Sequence, residues 1–167
     1  MDKLRFDFTF EHLKPMTCYE RFEGLSLWIF HIDKVPPHVG LSMGGMFFSL
    51  KSNGRDELPV VNLVQLVDKK EIKSVVLNLN ISIGLSEIRR VFSSYDRAFS
   101  VKTSCLAPIK EVLNVSENIT KLSELLLYLK DNNMMNEYHG FNVTESEIGI
   151  LSYGLEDIEK RFNLLHA

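Results

Sequence analysis

The sequence HVGLSMGGMFFSL occupies residues 38 to 50. It predicts a strand over His38–Met43, a tight turn at Gly44-Gly45 and a returning strand over 46–50, because paired glycines tolerate the positive φ angles of a two-residue hairpin turn. Pro36 and Pro37 stand just before it, and proline cannot donate to a strand ladder. We therefore expect an antiparallel hairpin that begins at His38.

The rest of the chain follows two periodicities, one of strands and one of helices. Alternating or continuous apolar residues predict further strands, and apolar residues three or four apart predict helices. The region 133–153 shows neither pattern and is expected to be irregular, as a flap or a loop over a site. Strands come first and helices mostly later, which favours an α+β fold with an antiparallel sheet packed against helices. The predicted strands are 4–10, 25–32, 38–43, 46–50 and 74–79, and the predicted helices are 59–70, 86–94, 105–113, 120–129 and 155–165.

Composition limits the classes of protein to consider. The chain has 167 residues, of which 45% are hydrophobic and 25% are charged, and a formal net charge of −3. This length suits a single domain, 1–167, and the charge provides no basic surface for nucleic acid. No signal-peptide pattern opens the chain and no apolar run approaches the ~20 residues of a membrane span. Two cysteines are too few for a disulfide framework, so we expect a cytoplasmic protein that binds neither nucleic acid nor a membrane.

Cys105 and His38 are the residues best placed for chemistry. Cys105 follows Ser104, which is a suitable cap for the predicted helix 105–113, and a helix N-terminus lowers the pKa of a thiol. Cys18 has no such setting and is expected to be structural. His38 enters a strand, and Gly40 lacks a side chain on the same face, which leaves room for a substrate or for the cysteine helix. The alternatives stay open, because Cys105 also suits an inert core residue and His38 an ordinary strand edge.

A metal site is a further alternative. His31 and Asp33 are two residues apart on a predicted strand, and His38 is nearby in the sequence. Two histidines and one aspartate are compatible with a metal, but Asp33 also suits the start of a turn. We expect no metal and no cofactor.

Two segments carry a family resemblance. The segment His38-Val39-Gly40-Leu41-Ser42-Met43-Gly44-Gly45 resembles the "H-V-G-I-x-x-G" strand of NlpC/P60-like, papain-like cysteine hydrolases. The cysteine follows the histidine by 67 positions (105 − 38), an order similar to that of the circularly permuted branch, which includes lecithin:retinol acyltransferase-like and YiiX-type proteins. In that branch a helix and a short connection lead to the cysteine, and the segment from Leu85 to Tyr95, followed by 103–110, looks similar. A tyrosine about ten positions before the cysteine is also common there, and Tyr95 stands at that position.

The resemblance implies a permuted papain-like fold and a set of catalytic roles. Cys105 would be the nucleophile towards an amide or related acyl bond, His38 the base, and Tyr95 a neighbour of the oxyanion site. The family places a His, Asn, Gln or acidic residue on the strand after the hairpin to orient the histidine, whereas this chain offers Ser49 or Lys51. Two functions follow: a cysteine hydrolase or acyltransferase acting on a small-molecule or peptide substrate, or a non-catalytic ligand- or protein-binding domain of the same fold.

Overall fold

A computed structural model describes residues 5–16, 23–144 and 148–165 of the chain. Within these ranges the chain forms nine strands, which are β1 (Phe6–Thr9), β2 (Lys14–Pro15), β3 (Ser26–Phe30), β4 (His38–Met43), β5 (Met46–Lys51), β6 (Gly54–Pro59), β7 (Ser74–Leu79), β8 (Met135–Phe141) and β9 (Gly149–Leu151). Seven of them form one sheet in the order β2-β8-β7-β3-β4-β5-β6, and β1 pairs with β9. All neighbours in the main sheet are antiparallel except β2 and β8.

Five helices in the described residues cover this sheet, and they are α1 (Val60–Lys69), α2 (Leu85–Ser93), α3 (Ala107–Leu113), α4 (Leu122–Asp131) and α5 (Leu155–Leu165). None of them is long and apolar enough to cross a membrane. The combination of this sheet with packed helices confirms the predicted α+β class.

The predicted hairpin is present with the expected turn. Gly44 and Gly45 have φ angles of 58° and 79°, and Met43 pairs with Met46 across the turn. Positive φ is accessible to glycine at little cost because it lacks a Cβ. Strand β4 therefore starts at His38, as the two preceding prolines indicate.

Alternation along the strands separates two hydrophobic cores. The large-core face carries Val39 and Leu41 and is covered by side chains of α2, α3 and α4. The small-core face carries Trp28, Phe30 and Phe47 and is covered by side chains of α1. Because side chains alternate across a strand, neighbours in sequence such as His38 and Val39 point to opposite sides of the sheet.

Two predictions about the fold are wrong. The region 133–153 is not simply irregular, because it contains β8, which pairs with β7 inside the main sheet. The charged segment Gly54–Pro59 was not among the predicted strands, yet it forms the edge strand β6. In β6 exposed residues alternate with half-buried ones, whereas β8 is exposed only near its start and buried at its end. Pairing with a neighbouring strand stabilises both. Among the described residues six strands precede the first helix, in line with the predicted order, and β7, β8 and β9 lie between helices.

Candidate functional site

A cavity of about 1000 Å³ lies at the end of the sheet where β4 begins and β5 ends. Side chains from both faces of the sheet and from α5 line it. They include three of the four predicted site residues, His38, Ser49 and Cys105. A cavity of this size holds a ligand of drug-like dimensions.

Cys105 lies just before helix α3 and not in its first turn. The helix begins at Ala107, two residues later than predicted. Ser104 makes the turn that leads into it, because its Oγ accepts a hydrogen bond from Leu106 N–H (3.2 Å) and its carbonyl accepts one from Ala107 N–H (3.0 Å). Ser104 therefore stabilises the turn before the helix and does not cap the helix itself. Cys105 is not at the start of the helix, the position that was expected to lower its pKa.

The Cys105 thiol accepts hydrogen bonds from two backbone N–H groups, that of Val39 and its own. These donors favour the thiolate, but burial acts more strongly and raises the pKa of the thiol above its ordinary value. Removing a charged group from water disfavours its charged form. The expected lowering of the Cys105 pKa is thus absent in this conformation, and the group is a neutral thiol at neutral pH.

His38 is held on the small-core face of the sheet. Its ring stacks on Phe30, with ring centroids 5.9 Å apart and planes 25° from parallel. Burial is the main cause that lowers the pKa of His38 to about 4; Lys51, His31 and Arg161 lower it further, and Asp56 opposes them. The imidazole is therefore neutral at neutral pH.

The structure brings Cys105 and His38 to one cavity but places them on opposite faces of the sheet. Cys105 packs against the large core, whereas the His38 ring stacks on a residue of the small core. The backbone N–H of Val39 donates to the Cys105 sulfur. In the described part of the chain, however, no hydrogen bond joins the Cys105 thiol to the His38 imidazole. The two groups are close in the backbone and separated in side-chain direction.

Gly40 has a structural role that differs from the expected one. A Cβ at this position would lie 2.4 Å from the Phe47 ring and 2.7 Å from the Phe48 carbonyl oxygen. The space beside Gly40 is therefore filled by Phe47, and it is not open to a substrate or to the cysteine helix.

Ser49 lies on the same strand face as Phe47 and is 1% exposed. Its Oγ has no hydrogen-bond partner among the described residues, so it does not orient His38 in this conformation. The other candidate for that role, Lys51, forms an ion pair with Asp56 across β5 and β6 (Nζ to Oδ1, 3.1 Å). An unpaired buried hydroxyl is uncommon, and it calls for a specific explanation.

Tyr95 does not line the cavity. Burial raises the pKa of its hydroxyl, and the Glu111 carboxylate adds to this. Tyr153 lines the cavity instead, and its hydroxyl accepts a hydrogen bond from Leu122 N–H (3.0 Å) at the start of α4. Burial and the nearby Cys105 contribute to raising the pKa of Tyr153. Sequence patterns did not indicate Tyr153, which lies in the region expected to be irregular.

The other sequence candidates are His31, Asp33 and Cys18. His31 and Asp33 lie beyond the end of β3, in the turn that Asp33 was expected to begin, and not on a common strand face. Across residues 5–16, 23–144 and 148–165, no three side chains of His, Cys, Asp or Glu come together as metal ligands. Cys18 lies outside the described residues.

Comparison of the chain with protein-family models, with curated proteins and with solved structures found no match.

Proposed function

We propose that this chain is a ligand-binding domain of permuted papain-like architecture, which holds a small molecule or a peptide in the cavity at the end of the sheet. The observation that carries the proposal is the arrangement of Cys105 and His38, which line one cavity from opposite faces of the sheet. This arrangement suits a cleft that binds better than it suits a nucleophile with its base.

The ionisation of the two groups supports binding over catalysis. A cysteine nucleophile needs a thiolate, formed most readily when the thiol pKa lies below that of its imidazole partner. Here the order is reversed, because the Cys105 pKa is raised above 9.0 and the His38 pKa is about 4. Both shifts favour the neutral thiol and neutral imidazole over the thiolate–imidazolium pair.

The permuted papain-like architecture is supported by chain order and by one contact. The histidine strand and its hairpin precede helix α2 and the cysteine, in the order that the resemblance implies, with β6, α1 and β7 between the hairpin and α2. The Val39 N–H then contacts the Cys105 sulfur, so the start of the histidine strand meets the turn before the cysteine helix. The backbone positions of Cys105 and His38 suit a catalytic arrangement, whereas the directions of their side chains do not.

Filling the cavity tests the binding function. Leu66 lines the cavity from α1, whereas Val61 lies on the same helix, is 66% exposed and does not line it. We expect the fluorescent probe 8-anilinonaphthalene-1-sulfonate to bind the native protein at one site. Leu66→Trp is expected to weaken this binding by about tenfold or more, and Val61→Trp to leave it unchanged within about twofold. Equal binding by the two variants, or no binding to the native protein, would show that the cavity is not a ligand site.

A cysteine hydrolase remains the second candidate, favoured by the two N–H groups that point at the Cys105 sulfur. In this mechanism the His38 ring leaves Phe30 and takes the thiol proton, and the sulfur then attacks the carbonyl carbon of an acyl substrate. His38 returns the proton to the leaving group, and water releases the acid and restores the thiol. Tyr153, whose hydroxyl proton is free to donate, is better placed than Tyr95 to stabilise the oxyanion.

Mass spectrometry after incubation with p-nitrophenyl acetate distinguishes the two functions. A binding domain is expected to show no acetyl group on Cys105 beyond that of a His38→Ala variant. Rapid acetylation that requires both Cys105 and His38, followed by turnover, would establish the hydrolase.

A further inference from the structure

The part of the cavity on the small-core face has apolar walls and a polar floor. Phe30 and the stacked His38 ring form one wall, and Phe47 meets Phe30 edge to face, with centroids 5.6 Å apart. Flat rings pack favourably against such a surface, because offset and edge-to-face arrangements are the preferred contacts between aromatic groups. The shape therefore favours an aromatic group in the ligand.

Ser49 supplies an unused hydrogen-bonding group inside the cavity. Ser49 is 1% exposed and is among the residues that line the cavity. Its hydroxyl has no partner among the described residues. Leaving a buried hydroxyl unpaired is unfavourable, and a ligand atom that pairs with it removes this penalty. Ser49 thus favours a ligand with a polar substituent on its ring.

The charges that line the cavity carry an excess of one positive charge when both histidines are neutral. They are the cations of Lys34, Lys51 and Arg161 and the carboxylates of Asp33 and Asp56. Lys51 and Asp56 neutralise each other as an ion pair. Arg161 on α5 is exposed and forms no ion pair within the described parts of the chain. Arg161 lines the same cavity as His31 and His38. Burial is the main reason that the pKa values of these two histidines are lowered, and the Arg161 charge adds to both effects.

We propose that the cavity binds an aromatic carboxylate that carries a second polar group, with its ring against Phe30 and Phe47, its carboxylate on Arg161 and its second polar group on Ser49. This proposal rests on the proposed binding function and names the ligand class. Arginine suits the carboxylate, because its planar guanidinium presents paired donors that match the two carboxylate oxygens.

The acidic group is tested with two probes that share their ring system. 8-Anilinonaphthalene-1-sulfonate carries an acidic group, and N-phenyl-1-naphthylamine lacks it. We expect the anionic probe to bind at least about tenfold more tightly. Arg161→Gln should bring the two affinities within about threefold of each other, and Lys160→Gln, a change of an exposed cation on the same helix that does not line the cavity, should not. When these probes are displaced by other ligands, 2-naphthoate should bind more tightly than 2-naphthamide to the native protein, and this difference should be absent in Arg161→Gln.

The second polar group is tested with 6-hydroxy-2-naphthoate and 2-naphthoate as displacing ligands. The hydroxyl should improve binding by about threefold or more in the native protein, and Ser49→Ala should abolish this improvement while retaining 2-naphthoate binding. Equal affinity of the two fluorescent probes, or equal losses from Arg161→Gln and Lys160→Gln, would overturn the assignment of the acidic group. A hydroxyl preference that survives Ser49→Ala would overturn the role of Ser49. If neither probe binds, the binding function itself is wrong.

Discussion

The backbone N–H of Val39 donates a hydrogen bond to the thiol of Cys105. This contact joins the first residues of the hairpin to the turn before α3, and it brings the sulfur beside the residue that follows His38. It holds the sulfur on the large-core face while the His38 ring occupies the other face.

Alkylation of Cys105 should be slow and independent of His38. Burial raises the thiol pKa, so the rate of reaction with iodoacetamide at neutral pH should lie below that of free cysteine. As the pH is raised, the rate for Cys105 should still increase at pH values where the rate for a free thiol has become constant. A Cys18→Ser background leaves Cys105 as the single cysteine, and His38→Ala should change the rate by less than about twofold. A fast reaction at neutral pH that His38→Ala slows would contradict the neutral pair.

Two buried serines on the sheet should respond oppositely to replacement by alanine. Ser49→Ala removes a hydroxyl without a partner among the described residues and should raise the free energy of unfolding by up to about 1 kcal/mol. Ser42→Ala removes the acceptor of the 2.8 Å bond from Trp28 Nε1 and should lower it by about 1 kcal/mol or more. Urea unfolding measures both values, and a loss of stability in Ser49→Ala would indicate a native partner for its hydroxyl.

Gly40→Ala should destabilise the protein strongly, because the new Cβ would meet the Phe47 ring and the Phe48 carbonyl. Overfilling a packed site costs about 1–3 kcal/mol or more. Gly24→Ala is the matched control, since a Cβ there meets nothing within 4 Å. Thermal unfolding compares the two, and equal midpoints would mean that the space beside Gly40 is open after all.

Stability should rise with pH through the range in which His38 titrates. The pKa of His38 is lowered from 6.5 to about 4 in the folded protein, so between these values the unfolded chain binds more protons than the folded chain. The contribution of His38 is complete above the unfolded value and is lost as pH falls towards about 4, up to about 3 kcal/mol. His38→Gln should flatten this dependence in urea unfolding across that range, and an unchanged dependence in this variant would show that His38 is not the group responsible.

Tyr153→Phe should destabilise the start of α4. The Tyr153 hydroxyl accepts the hydrogen bond of Leu122 N–H (3.0 Å), and loss of this acceptor for a buried donor costs about 1–3 kcal/mol. Tyr138→Phe serves as the comparison, since the Tyr138 ring contacts Phe10 and its hydroxyl makes no hydrogen bond within the described ranges. Hydrogen exchange at the first turn of α4 should quicken in the Tyr153 variant alone.

Local signals were sufficient for most elements of the fold. The hairpin, strand β7 and helices α1, α2 and α5 agree with their predicted positions within about two residues, because apolar spacing, glycine turns and prolines act over a few residues. The charged strand β6 and strand β8 were not recognised, because their stability comes from pairing with β5 and β7. Cross-strand pairing depends on residues far away in the sequence.

The candidate site, like the fold, was predicted only in part from the sequence. The sequence by itself determined which residues were chemically suitable, and three of them, His38, Ser49 and Cys105, line one cavity. Only the tertiary structure decided their directions and ionisation: the alternation of β4 turns His38 away from Cys105, and burial raises one pKa and lowers the other. It also introduced Tyr153 and Arg161, which reach the cavity from later segments. Residue type is a local property, whereas side-chain direction and desolvation depend on how distant segments pack together.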